Sequence, residues 1–340
     1  MDRRSFLKTT ASLGALTTIG GVIPLVPLVA DAQQPAKVAR IGFMTRAAPT
    51  APATRMEEFR RGMRELGYVE GQHFILSEAR YAPGKNELLP ELIADLVRTG
   101  VEVIVAGPVD SMLAAKKITS HVPIIMTPSG DPVVMGVVES LIRPGGNVTG
   151  ITEMAPQLTP RRLELLKEIV PTLSRVAILW QPGSLSEDTF KQMFSETEPT
   201  ARSIGVQLQV VEATAVADFD AAFSAVIKER AEALIVLISP MFNLEQRHII
   251  ERAEKHRLPA IYEWKEFVRN GGPISYGADL TDIYVRAAGL VDKILKGARA
   301  ADLPVEAPTR FDLAVNVKTA QALGLTIPQS ILSQAVAVIK

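Results

Sequence analysis

Asp131 and Glu263 are the carboxylates whose positions in the chain suit chemistry. Each follows a short apolar run of strand length, Val122 to Met126 in one case and Ala260 to Tyr262 in the other. Two carboxylates facing one cleft can exchange protons with a substrate or accept a ligand ammonium. Both have a plainer reading. Asp131 precedes Pro132, and a carboxylate followed by proline is a helix start, so Asp131 either caps its own helix or reaches a ligand. Glu263 is either a solvated charge at a helix start or the second carboxylate of a cleft. Asp110 and Ser111 also stand where a helix begins. They cap it, or the same free N–H groups and helix dipole receive a ligand carboxylate. Trp180 and Tyr276 offer apolar faces with polar tips. Trp180 packs in a core or hinge or forms an aromatic lid, and Tyr276 bonds to ligand or to hinge backbone. Thr45, Gly107, Ser239 and Asn243 complete the set, each just beyond an apolar run.

Several kinds of chemistry have no residues to support them. There is no cysteine, which excludes disulfides, thiolate nucleophiles and Cys-ligated zinc. The four histidines, His73, His121, His248 and His256, are scattered, none three or four residues from a second. His248 and His256 belong to a charged helix face with Arg247, Arg252 and Lys255. Neither G-x-G-x-x-G nor G-x-x-x-x-G-K-[ST] occurs, and there is no G-x-S-x-G elbow. No catalytic residue, metal ligand or cofactor is assigned. Lys and Arg balance Asp and Glu at 37 each, so no basic footprint for nucleic acid is present.

The candidates are positioned by an alternation of strand and helix. Val38 to Met44, His73 to Ala79, Val101 to Ala106 and Val122 to Met126 read as strands. Helices from Arg55 to Leu66, from Leu88 to Val97 and from about Ser111 separate them. A further helix after Asp131, with Val133, Val134, Val137, Val138 and Leu141 on one face, leads to a strand from Val148 to Ile151. The rhythm then restarts, with strands at Arg175 to Trp180, Gln207 to Val211, Ala233 to Ile238 and Ala260 to Tyr262. The helices of this half are expected at Pro160 to Ile169, Asp188 to Ser203, Asp218 to Lys228 and Leu244 to His256. Such βαβ alternation predicts parallel sheets covered by helices on both faces. Ligands of open α/β sheets sit beyond the carboxyl ends of the strands, where the candidate residues fall. A late helix from Leu280 and a strand from Phe311 to Val317 imply that the chain crosses between two lobes more than once. Several crossings form a hinge, and a hinged cleft suits capture by closure.

At 340 residues, 47% of them apolar, the chain is long enough for two cores. Residues 1 to 32 are expected to be a signal peptide and no part of the fold. Arg3-Arg4-Ser5-Phe6-Leu7-Lys8 matches the twin-arginine export pattern, a moderately apolar stretch follows to Val29, and Ala30-Asp31-Ala32 supplies a cleavage site. Taking three of the 37 basic and two of the 37 acidic residues away leaves 34 against 35, so the mature chain stays neutral. Lobe 1 is expected to comprise residues 33–152 plus about 278–300, and lobe 2 residues 153–277 plus about 305–340.

Six segments carry a resemblance. They are Arg40-Ile41-Gly42-Phe43, Val103 to Gly107, the run from Gly130-Asp131-Pro132 to Arg143-Pro144-Gly145-Gly146-Asn147-Val148-Thr149-Gly150, Leu258 to Glu263, Ser275-Tyr276-Gly277, and Lys318 to Leu325. In this order they resemble the ABC-transporter substrate-binding proteins related to tryptophan- and tyrosine-binding proteins. The resemblance implies a periplasmic-binding type I fold, two Rossmann-like lobes joined by a multi-strand hinge. It also implies a periplasmic monomer that hands a small, amino-acid-like or carboxylated ligand to the membrane subunits of an ABC permease, and polar ligand contacts in the loop of Ser239 and Asn243. The alternative is an exported hydrolase or other enzyme on a doubly wound scaffold, with Asp131 and Glu263 as acid and base. The effector domain of a transcription regulator shares the fold, but the chain begins with an export signal and no helix-turn-helix.

Overall fold

The computed structural model describes residues 38–46, 51–81, 85–107, 109–128 and 131–340. The export segment lies outside them, as do Pro108, Ser129 and Gly130 of the candidate loops. The first half runs β1 (Ala39–Arg46), α1 (Ala51–Glu65), β2 (Phe74–Tyr81), α2 (Leu89–Arg98), β3 (Val103–Ala106), α3 (Val109–Ile118), β4 (Ile124–Met126) and β5 (Val148–Gly150). The five strands form a parallel sheet in the order β2-β1-β3-β4-β5. Alternate side chains divide between its faces, as the two-residue period of a strand requires. Ile41, Phe43, Val103 and Val105 meet Met56, Phe59 and Met63 of α1 on one side. Met44, Ile104 and Ala106 meet Ile93 and Leu96 of α2 and Met112 of α3 on the other.

The second half runs α4 (Ala155–Ile169), β6 (Arg175–Trp180), α5 (Glu187–Ser203), β7 (Gln207–Glu212), α6 (Phe219–Lys228), β8 (Ala233–Val236), α7 (Pro240–Leu244), α8 (Gln246–Lys255), β9 (Ala260–Tyr262), α9 (Lys265–Arg269) and β10 (Ile274–Ala278). Next come α10 (Leu280–Leu295), β11 (Phe311–Asn316), α11 (Val317–Ala322), α12 (Gln329–Gln334) and β12 (Ala337–Ile339). The second sheet has the order β12-β11-β10-β9-β8-β6-β7. It is parallel except where β11 runs against β10. The exception follows from the path of the chain. β10 leaves at its carboxyl end, α10 packs in the first half against α1 through Ile283, Ala287 and Val291, and the chain returns to the same end. The strand that enters there must run the opposite way.

Three segments therefore connect the halves, and they bond to one another. Glu306 N–H donates to Gly150 O at 2.9 Å, and Thr152 N–H donates to Glu306 O at 3.0 Å. Asp279 N–H donates to Arg310 O at 3.0 Å. Arg286 of α10 binds the third segment through the Glu306 carboxylate and, at 3.0 Å, the Ala307 carbonyl.

One expected element is absent. Residues 131 to 142 form turns, not a helix. The Asp131 carboxylate does accept from Val133 and Val134 N–H at 2.9 and 3.1 Å, so the capping contact forms. A single turn then ends at Gly136, whose φ of +65° is left-handed. Four β-branched valines around that glycine lack the propensity to continue. The helix expected from Leu244 to His256 forms as α8, which begins at Gln246 after the separate short helix α7.

Candidate functional site

In the first lobe, the strand ends bring a small polar group together. Gly107 follows β3 and Thr127 follows β4, and the Tyr284 hydroxyl of α10 lies against both. A side chain at position 107 would meet that hydroxyl at 3.0 Å and Thr127 Oγ1 at 3.4 Å. Ser111, in the first turn of α3, is fully buried. Beside it, half-buried Asp110 accepts from the Tyr81 hydroxyl at 2.7 Å and from Ser111 N–H at 3.0 Å. Thr45 is buried at the end of β1 and donates to Glu78 of β2 at 3.0 Å. Asp131 lies in the turn beyond β4 as a cap.

The second lobe presents its strand ends likewise. Trp180 ends β6 and stacks on Phe190 of α5, with ring centroids 3.9 Å apart and planes 12° apart. Ser239 caps α7, accepting from Phe242 N–H at 3.1 Å, and its hydroxyl bonds to the Gln181 side chain. Asn243 sits half-buried on α7 and bonds back to Ser239 O through its N–H at 2.9 Å. The Tyr276 ring stacks on Phe311 with centroids 6.1 Å apart. Glu263 is not a solvated charge; it is 4% exposed.

The partner of Glu263 was not among the sequence candidates. Arg162 of α4, 1% exposed, places Nη2 3.0 Å from Glu263 Oε1. Its Nε donates to the Tyr276 carbonyl at 2.8 Å, and Nη1 lies 3.5 Å from Thr159 Oγ1. Glu153, in the first connecting segment, joins this group and is also 1% exposed. Burial and the neighbouring Glu263 hold its carboxyl well above the usual range, with the Arg162 guanidinium opposing them. The Tyr284 hydroxyl is raised by its own burial, with Arg55 and Thr127 opposing and Glu153 adding. Tyr284 thus connects the strand ends of the first lobe with the buried charges of the hinge. One signal for Arg162 stood in the sequence: it lies on the apolar face of α4, with buried Leu158, Leu163 and Leu166. A charge on that face requires a buried partner. Glu153 carried no such signal.

Among the described residues there is no group of three or more metal-ligating acidic or histidine side chains, and no helix long and apolar enough to cross a membrane. A groove of about 620 Å³ lies between β7 and α6, at the outer edge of the second sheet.

A family model described as ABC transporter substrate binding protein matches residues 50–339. The tyrosine-binding protein of Clostridioides difficile is 24% identical over 270 residues, which span 78% of this chain and 75% of that one. The ABC domain from Streptococcus pneumoniae in complex with L-Trp superposes with a TM-score of 0.80 at 25% identity. It covers 89% of this chain and 100% of its own. A conserved domain protein from Vibrio cholerae gives the same TM-score, identity and coverage. The two-lobed α/β architecture is that of the type I periplasmic binding proteins.

Proposed function

Since the chain belongs to the ABC transporter substrate-binding protein family, we propose that it captures a small amino-acid-like solute between its two lobes outside the inner membrane and delivers it to an ABC permease. The observation that carries this reading is the likeness to a domain solved with L-Trp, at 25% identity over the whole of that domain. The geometry supports it. Both sheets direct their carboxyl ends toward a hinge of three connecting segments, as a clamshell for a small ligand requires. The lobes are residues 33–152 with about 278–300, and 153–277 with about 305–340. Gly107, Ser111, Thr127 and Tyr284 line the first side of the cleft; Trp180, Ser239, Glu263 and Tyr276 line the second.

Nothing in the site favours the enzyme reading. Asp131 caps its own turn and Glu263 is held by Arg162, so neither is placed as a free acid or base. A thermal-shift panel of amino acids, nucleosides, aromatic acids and sugars tests the proposal, because a ligand of the folded state raises the melting temperature. Binding of an amino acid at one site per chain is expected, with a smaller radius of gyration by X-ray scattering in its presence. Turnover of the bound compound in proportion to protein concentration would replace the binding reading with the enzyme reading.

A further inference from the structure

We infer that Trp264, Lys265 and Glu266, at the start of α9, form a clasp that holds the two lobes together before any solute arrives. The ion pair from Glu266 to Arg55 is the part of it that opens. The clasp acts in the protein alone and does not depend on solute capture. Three consecutive residues leave the carboxyl end of β9 toward three different partners. Trp264 is extended, with φ −115° and ψ 145°, and the next two residues begin the helix. The Trp264 ring packs against the cluster that contains Phe43 and Tyr284 of the first lobe and Ala278 and Leu280 of the second connecting segment. Lys265 reaches Asp312 of β11 at 2.6 Å and Asp279 of the same connecting segment at 3.9 Å. Glu266 Oε1 lies 3.3 Å from Nη2 of Arg55 in α1.

These contacts differ in what they join. Lys265 binds a strand of its own sheet and the hinge, so it fixes the base of the clasp. Arg55 and Glu266 stand on different lobes, α1 covering the first sheet and α9 following a strand of the second. Among the described residues, theirs is the one ion pair that joins the lobes outside the connecting segments. The strand ends nearby are buried on both sides, Ser111, Thr127 and Tyr284 in the first lobe and Ser239 and Glu263 in the second. The pair therefore forms where the lobes stand together. Parting them gives up the Arg55–Glu266 attraction and the apolar contact of Trp264. It also opens Trp264 Nε1 to water, and that donor is buried with no hydrogen-bond partner in the protein. Opposed terms of this kind make a clasp that closes reversibly.

The Arg55 and Glu266 side chains are 15% and 32% exposed, so salt reaches the pair. Such a pair shifts the ratio of closed to open molecules by about two- to fivefold. The fraction of molecules in the competent arrangement scales apparent affinity. Arg55 and Glu266 are thus positioning residues, acting through closure without touching a solute.

The test uses the absence of cysteine from the chain. Spin labels on Glu91→Cys of α2 and Lys191→Cys of α5, both exposed positions, report the distance between the lobes by double electron–electron resonance, without added solute. Glu266→Arg is expected to lower the closed-to-open ratio by about four- to 25-fold, since reversal removes an attraction and adds a repulsion of similar size. Arg55→Glu combined with Glu266→Arg should restore the parent distribution. X-ray scattering of the same variants without labels should show a larger radius of gyration for Glu266→Arg alone. A wild-type arm stands should a variant fold poorly. Raising NaCl from 0.1 to 1 M shortens the Debye length from about 10 to about 3 Å and should move the labelled parent toward the open distance. The same change should leave Glu266→Gln unmoved. Distances in Glu266→Arg that match the parent overturn the clasp. So does an opening that the double reversal fails to undo, which would place the effect within α9 and its own lobe, and so does a parent indifferent to salt.

Discussion

Arg162 has two acidic neighbours at the hinge and no access to water. Removing one partner of a buried ionic group leaves the others uncompensated, which typically costs about 3–5 kcal/mol. The cost depends on pH through Glu153, and the sign follows from the direction of its shift. Its carboxyl is raised in the folded protein, by burial first and Glu263 second. The folded chain therefore holds this proton more tightly than the unfolded chain. Stability falls as pH rises from the unfolded value of about 4.3 through the folded one. Arg162 restrains that fall. Arg162→Met should lose about 3–5 kcal/mol at pH 7.5 and clearly less at pH 5, where the raised Glu153 carboxyl more readily holds its proton. Urea unfolding at the two pH values measures it. A loss below about 1 kcal/mol, or one equal at both pH values, would show that the guanidinium does not compensate these carboxylates.

Among the elements, α10 has the largest consequence for the architecture. It follows a strand of the second sheet yet packs on the first, and its return fixes the reversed direction of β11. Its seat on α1 depends on close approach at Gly62. A Cβ there would stand 2.6 Å from Val285 O and 2.8 Å from Ala288 Cβ. Tyr68, just beyond α1, adds a hydrogen bond to Asp292 at 2.8 Å. Gly62→Ala gains about 1 kcal/mol in helix propensity. Overpacking against backbone costs about 1–3 kcal/mol, and the clash here is short enough to put the variant at the upper end. A net loss of stability of about 1–2 kcal/mol is expected from chemical denaturation. A stabilised variant would mean that α10 shifts freely on α1.

At the scale of the whole molecule, the export signal expected at Arg3-Arg4 has its own test. The twin-arginine route carries folded protein, and a cysteine-free chain needs no oxidising compartment to complete its fold. If Arg3 and Arg4 form that signal, replacing both with lysine should leave the uncleaved precursor in the cytoplasm. Cell fractionation and immunoblotting read the outcome. Normal accumulation of the processed double variant outside the inner membrane would remove the twin-arginine assignment without touching the capture of a solute.

The alternation of strand and helix, the two-lobed class and the loops facing the hinge were all legible in the chain. They depend on local periodicity, because a side chain's face in a strand or helix is set by its neighbours two, three or four positions away. The valines after Asp131 misled for the same reason. Their spacing suits a helix, but β-branching and left-handed Gly136 stop it after one turn. Asp131 was legible only as far as its cap, which forms. What the tertiary structure alone decided is the company each charge keeps. Arg162 meets the Tyr276 carbonyl 114 residues away, and it and Glu153, two unremarked positions, join Glu263 in one buried ionic group. Such pairings arise when separate elements pack, and no repeat or spacing in the sequence encodes them. The antiparallel β11 belongs with them, since its direction is set by where the chain re-enters the second lobe and not by its own residues.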